Sequence, residues 1–265
     1  EKITEQTATL PLTALYPDHQ FPLREETRPH NIELSIHSWL IRTPEQVIVI
    51  DTATGNGRKR DNKPLFHQLD TPYYSRLLAS GVDPDEVSMV IMTHIHTDHV
   101  GWNTHLVNGQ WQPLFPSARY ICSATELEAC LADPQQQELF NDSLLPLITR
   151  GQLDTVNVNE SPCFAGVLSY LPTPGHSIDH ASLILHSAGK SAIFTGDIMH
   201  HPLQFRFPEW NSVFCENKLQ AVRSRQKALE WATAHQALWF SSHFAGSSVG
   251  RVTRDLHQQY HWQEV

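Results

Sequence analysis

Residues 93–99 read Thr93-His94-Ile95-His96-Thr97-Asp98-His99, directly after the apolar run Val87-Ser88-Met89-Val90-Ile91-Met92. The apolar run predicts a buried strand over residues 87–93 that ends where the histidines begin. His94 and His96 stand two apart, so a strand end turns both to the same side. Asp98 and His99 then project from the turn that follows. Imidazole nitrogen suits zinc, iron and nickel, while carboxylate oxygen suits harder cations and can bridge two metals. Three imidazoles and one carboxylate packed into residues 94–99 therefore read as part of a metal site.

Working outward, three more chemically capable residues fall at strand ends. His176 stands in the turn Pro172-Thr173-Pro174-Gly175-His176-Ser177. Asp197 follows Thr195-Gly196 after an apolar run, and His243 follows Ser241-Ser242 in the same way. Alone, each reads as an ordinary turn residue. Together, in sequence order and at equivalent addresses, they extend the cluster. The chain holds 17 histidines in 265 residues, and histidine is the commonest metal ligand.

The remaining pattern alternates strands and helices. Strands are expected over residues 33–42, 46–50, 119–122, 153–158 and 167–171. A hairpin is expected from 181–186 and 191–195, and a further strand over 237–242. Helices are expected over 72–80, 124–132, 135–145 and 215–235, with one or two elements in the tail. This order suggests two sheets packed face to face with helices outside. No Pro- or Gly-rich linker divides the chain, so residues 1–265 read as a single domain. Residues 1–31 read as an N-terminal extension packing on it.

The composition is that of a globular chain, 40% hydrophobic and 18% charged. A formal charge of −9 argues against nucleic acid as a partner. No apolar stretch is long enough for a membrane span. The chain opens Glu1-Lys2-Ile3-Thr4, with no charged-then-apolar leader. A cytoplasmic location is expected, with periplasm or secretion open because the N-terminus lacks an initiator Met. The four cysteines form no C-x-x-C pair and are expected as reduced, mostly buried thiols.

The set H-x-H-x-D-H, G-H, G-D and a late His resembles the metallo-β-lactamase fold superfamily, over residues 33 to 245. The resemblance implies an α/β (α+β) fold, the four-layer αβ/βα sandwich of the metallo-β-lactamase type. It implies that His94, His96 and His176 hold one metal, that Asp98, His99 and His243 hold a second, and that Asp197 bridges both. The cofactors implied are two divalent ions, zinc first, with manganese, iron or cobalt acceptable to the same donors. Asp51, at the end of strand 46–50, is implied to orient ligand histidines rather than to bind metal. Two such ions would acidify a shared water to near neutrality, with Asp98 orienting the resulting bridging hydroxide.

Within the superfamily the sequence is similar to the N-acyl homoserine lactonase and methyl parathion hydrolase-like branch. Only 22 residues follow His243 (265 − 243), short for the helical domain of glutathione-thioester hydrolases. Only 46 positions separate His243 from Asp197 (243 − 197), short for the insertion of nucleic-acid-cutting members. The expected activity is hydrolysis of small-molecule lactones or esters, with phosphotriesters as further substrates. The resemblance is also compatible with a homodimer. Lactonases of this branch typically place a Tyr three residues after the bridging Asp; here that position is His200, a candidate catalytic hydrogen-bond donor. Trp102, Leu203, Phe205, Phe207, Trp210 and Phe244 are candidates for the substrate pocket wall. The competing readings are a mononuclear iron-dependent redox enzyme, sulfur dioxygenase-like, on the same scaffold, and a binding protein with a dead site.

Overall fold

A computed structural model describes residues 1–15, 29–61 and 63–265. The rest of the expected N-terminal extension, residues 16–28, lies outside the described residues. The chain divides into two compact units: residues 1–6 with 36–157, and residues 7–35 with 158–265.

The first sheet has the order β1-β2-β3-β4-β7-β8. Its strands are β1 (Lys2–Pro11), β2 (Asn31–Arg42), β3 (Val47–Ile50), β4 (Val87–Ile91), β7 (Arg119–Ser123) and β8 (Leu153–Val156). Strands β1 and β2 have residues in both units. β2 pairs antiparallel with β3, and the steps β3 to β4, β4 to β7 and β7 to β8 are parallel. Strands buried on both faces explain the near-continuous apolar runs Val47–Ile50 and Val87–Ile91. The stretch expected to be an extension thus begins with ten residues of strand, β1. The hairpin β5 (Thr104–Val107) and β6 (Gln110–Pro113) turns at Asn108-Gly109, both with positive φ, at 51° and 80°. An Asn-Gly pair favours such a tight turn.

Helix α1 (Tyr73–Ala79) matches its expected place, and α2 (Ala124–Ala132) starts where Ser123 accepts a hydrogen bond from Glu126 N. The helix expected over 135–145 is broken instead. A short α3 (Gln137–Leu139) widens into a π-turn at Phe140–Leu144 before α4 (Leu145–Thr149). The π-turn buries Asp142, which receives two buried arginines, so tertiary pairing interrupts the local periodicity. The core of this unit includes Val49, Tyr73, Leu77, Val90, Phe115 and Tyr120.

The second sheet lies wholly in the other unit, with order β15-β14-β13-β12-β11-β10-β9. Its strands are β9 (Cys163–Phe164), β10 (Leu168–Pro172), β11 (Ala181–Ser187), β12 (Lys190–Phe194), β13 (Leu238–Phe240), β14 (Val249–Arg254) and β15 (Tyr260–Glu264). The hairpin β11–β12 is the one expected, and the tail supplies two strands. Only β12 to β13 is parallel, and it is crossed by a short helix α5 (Leu203–Arg206) and by α6 (Lys218–Ala234). Helix α6 is capped by Asn217 and buries Ala221, Arg225, Ala228, Leu229 and Ala232, one apolar stripe at three- and four-residue spacing. Arg225 is tolerated there because its guanidinium donates to Ile198 O, Pro208 O and Asn211 Oδ1.

Candidate metal centre

In the first unit, the ends of β3 and β4 are laced together. Thr52 N donates to His99 O at 2.6 Å, Gly101 N to Ala53 O and Trp102 N to Thr52 O, each at 2.7 Å. The approach is so close that a Cβ on Gly101 would lie 1.7 Å from Thr54 O, so no other residue fits. Asp51 and Ala53 take left-handed φ values of 52° and 46°, a conformation that costs a non-glycine residue about 1 kcal/mol or more. This strain turns the Asp51 carboxylate onto the histidine turn. Its Oδ1 accepts from Thr93 N at 2.8 Å, and its Oδ2 from Thr93 Oγ1 at 2.8 Å and His99 Nδ1 at 2.9 Å.

These partners set the histidine tautomers. A carboxylate only accepts, so His99 Nδ1 carries the proton and Nε2 the lone pair. Thr93 Oγ1 gives its proton to Asp51 and so accepts from His94 Nδ1 at 3.0 Å. His94 Nε2 therefore also carries a lone pair, 3.0 Å from His96 Nδ1. The His94 ring lies 4.5 Å from that of His96 and 4.1 Å from that of His99. Asp98 Oδ2 lies 3.9 Å from His99 Nε2, and its side chain is 16% exposed. Glu126, buried on α2, fixes the turn from behind by accepting from Ile95 N at 3.1 Å.

In the second unit, three imidazoles converge on one carboxylate oxygen. Asp197 Oδ2 lies 3.0 Å from His243 Nε2, 3.3 Å from His176 Nε2 and 3.6 Å from His200 Nε2, all of them buried. His243 Nδ1 donates to Ser35 O at 3.1 Å, since a carbonyl only accepts. Were the His243 ring neutral, its Nε2 would aim a lone pair at a carboxylate oxygen 3.0 Å away. That opposition is relieved by a proton or by a cation shared between them. A nitrogen and oxygen set of this kind is the donor set that zinc and similar divalent ions take, so the residues present fit a metal. His176, Asp197 and His200 alone already bring ligand atoms within 4.8 Å of one another.

Local sequence explains the placement. Gly175 takes φ 128°, and a Cβ there would meet Ala221 N at 2.2 Å, so the G-H pair lets the turn press on the start of α6. His180 accepts from Asp197 N at 2.9 Å through Nε2, while its Nδ1 faces Thr173 O at 3.1 Å. His180 thus holds the backbone that carries Asp197. Sequence reasoning missed it, and the spacing His176-Ser177-Ile178-Asp179-His180 offered only a weak signal. Glu126 was missed as well, because a helix glutamate ordinarily reads as exposed.

His200 is not a solvated loop residue. It is 3% exposed and stacks on His243, with ring centroids 5.2 Å apart. The exposed Phe214 ring lies 5.9 Å from it. The Phe214 loop is joined to the His176 turn by Glu216 N donating to His176 O and Asn217 N to Gly175 O. Of the six pocket candidates, Trp102 belongs to the first unit's core, stacked on Tyr73 at 5.0 Å and donating Nε1 to the buried Glu5 at 2.7 Å. Phe205 stacks on Trp262 and meets Phe244 edge-on. Phe207 stacks on Trp210, with Leu203 against the same cluster. Leu203 and Phe205 also border a surface cavity of about 510 Å³ together with His201 and Trp262. In the first unit, a smaller cavity of about 180 Å³ is bordered by His96, Thr97, Arg60 and Gln135.

His201 makes a pH test available. Burial lowers its pKa from 6.5 to about 4, and its Nδ1 accepts from Leu203 N at 3.2 Å, which requires the neutral ring. Between pH 6.5 and about 4 the unfolded chain therefore binds a proton that the folded chain refuses. The stabilisation is present above pH 6.5 and lost as pH falls through that window, on the order of 3 kcal/mol in total. Thermal melts from pH 7.5 to 4 should show a smaller decline for His201→Asn than for the wild type.

The family comparison agrees with the motif. The model described as "Metallo-beta-lactamase superfamily" matches residues 32–264. N-acyl homoserine lactonase AiiA of Bacillus thuringiensis subsp. kurstaki is 25% identical over 178 residues, 61% of this chain and 62% of that protein. The chain thus spans under two thirds of that relative's length. Atrochrysone carboxyl ACP thioesterase of Aspergillus fumigatus is 28% identical over 161 residues, 61% of this chain and 39% of that protein. Among solved structures, the hydrolase AbOPH superposes with a TM-score of 0.80 at 21% identity, covering 100% of this chain and 93% of its own. AidC, a dizinc quorum-quenching lactonase in complex with the product N-hexnoyl-L-homoserine, gives 0.79 at 19%, with the same coverage. These likenesses establish the fold.

Proposed function

This chain belongs to the metallo-β-lactamase superfamily, and on that premise we propose that it is a dinuclear metal-dependent hydrolase of small-molecule lactones or esters. The observation that carries the reading is the convergence of three buried imidazole nitrogens on Asp197 Oδ2. His94, His96 and His176 would hold one ion and Asp98, His99 and His243 the other, with Asp197 shared between them. Zinc would suit this donor set first, and the same donors accept manganese, iron or cobalt. When bound, they supply a water acidified to near neutral pH and a positive contact for the carbonyl oxygen.

The protein's own groups do the rest. Asp98, partly exposed beside His99, would accept a hydrogen bond from the attacking water and aim it. His200, buried 3.6 Å from Asp197 Oδ2, would donate to the substrate oxygen as charge develops there. Asp51 keeps the His94 and His99 lone pairs turned inward. Support comes from the lactonase and thioesterase relatives, whose names denote cleavage of an acyl–oxygen or acyl–sulfur bond.

The test is a hydrolysis screen of the zinc-loaded protein over lactones, aryl esters and phosphotriesters, with and without chelator. Turnover that chelator removes and zinc restores is expected, and His200→Ala should lower kcat by roughly a hundredfold to a thousandfold. Hydrolysis indifferent to chelator contradicts the reading. Oxygen uptake with one iron per chain would favour the redox alternative.

A further inference from the structure

A buried side-chain ring in the first unit ties the metal-ligand turn to the π-turn. Arg60, 6% exposed, donates Nε to Thr97 Oγ1 at 2.7 Å. Its two terminal nitrogens grip Asp142 with both oxygens, at 2.8 and 2.9 Å, and one of them also reaches Lys59 O at 2.7 Å. Asp142 is gripped again by Arg58, fully buried, at 2.8 Å. Arg58 donates onward to Thr104 O at 2.7 Å, to Thr104 Oγ1 at 2.9 Å and to Gly101 O. The side chains Thr97, Arg60, Asp142 and Arg58 thus close a loop around backbone 97–104.

The position of Thr97 gives this ring its meaning. It lies between His96 and Asp98. The turn is fixed at Thr93 by Asp51, at Ile95 by Glu126 and at His99 by Thr52. Between Ile95 and His99, the bond from Arg60 anchors the turn at Thr97. A guanidinium has a rigid planar fork, so a bidentate grip on Asp142 also fixes the direction of Nε. Lysine would keep the charge and lose that direction.

We propose that Arg60 is a positioning residue for metal binding: held by Asp142, it sets the angle of the His96–Asp98 turn through the Thr97 hydroxyl. This rests on the metal-hydrolase reading above and adds a residue outside the ligand set. Thr97→Val removes the hydroxyl that accepts from Arg60 at nearly constant shape, and Thr97→Ser retains it. Groups that orient ligands typically alter metal affinity by about 10- to 100-fold when lost.

The experiment is zinc affinity by competition with a chromogenic chelator for wild type, Thr97→Val, Thr97→Ser and Arg60→Lys, with circular dichroism and a thermal melt of each metal-free protein. Kinetics at saturating zinc are measured alongside. Thr97→Val and Arg60→Lys should bind zinc about tenfold more weakly, with folded far-UV spectra, and their kcat should fall more than KM rises. Thr97→Ser should restore wild-type affinity. Wild-type affinity in Thr97→Val, or weakening in Thr97→Ser as large as in Thr97→Val, overturns the proposal while leaving the metal reading intact. If Arg60→Lys does not fold, the Thr97 pair decides alone. A wild type that binds no zinc removes the metal reading and this inference with it.

Discussion

Asp197→Asn is expected to lower kcat/KM by roughly three decades and to cost the protein at least one bound metal equivalent. Three imidazole nitrogens surround one Asp197 oxygen within 3.6 Å, and the side chain is 3% exposed. A neutral amide there removes the negative charge that a pair of cations would share, and it can turn an N–H toward His243 Nε2. Metal ions contribute several kcal/mol of transition-state stabilisation, and each 1.36 kcal/mol is a factor of ten in rate. Steady-state kinetics and elemental analysis on one preparation check it. Activity within tenfold of wild type, at full metal content, would show that Asp197 does not bridge.

Asp142→Ala is expected to give the largest loss of stability, about 3–5 kcal/mol, because it strands two buried guanidinium groups. Arg58 is fully buried, and its pKa falls to about 10 through desolvation, with Asp142 pulling it back up. It therefore stays charged at neutral pH and needs the carboxylate. At roughly 2–4 °C per kcal/mol for a chain of this size, the melting temperature should fall by about 10 °C. A thermal melt showing a drop under 2 °C would mean that water or a neighbouring acceptor replaces Asp142. Replacing Asp142 with Asn should cost less, since the amide oxygen still accepts.

Much of the site was legible because the fold puts its chemistry at strand ends. An apolar strand that stops at a His or Asp can be seen one residue at a time. This is how His94, His96, Asp98, His99, His176, Asp197, His243 and Asp51 were named. The groups that aim them were not legible. His180, Glu126 and Glu5 act through backbone amides distant in sequence, Asp197 N, Ile95 N and Thr54 N. Nothing local to a glutamate reports that it will be buried against a distant amide. The same holds for Arg58, Arg60 and Asp142. Arg58 and Arg60 flank Lys59 in sequence, and nothing local marks that the fold buries both on a carboxylate some 80 residues on.

Aromatic residues were harder still. Trp102 follows the ligand turn in sequence; its indole N–H finds Glu5 and its ring finds Tyr73, and it also borders a surface cavity of about 510 Å³ with Tyr74 and Leu106. Exposed Phe214, beside His200, lies in a polar loop with no periodicity to mark it. Strand β1 was missed because its alternation, Ile3 and Glu5 buried with Lys2 and Thr4 less so, places a carboxylate on the inner face. The hairpin at Asn108-Gly109 carried an adequate signal in its turn residues. The helix over 135–145 failed where Asp142 pairing overrode local propensity.

The most direct measurement is metal stoichiometry by elemental analysis, on protein dialysed free of metal and then titrated with zinc. Two tightly bound equivalents per chain are predicted, falling to one or none in Asp197→Asn and in His243→Ala. A wild-type chain that takes up no zinc, or that binds it undiminished after both substitutions, would contradict the proposed centre.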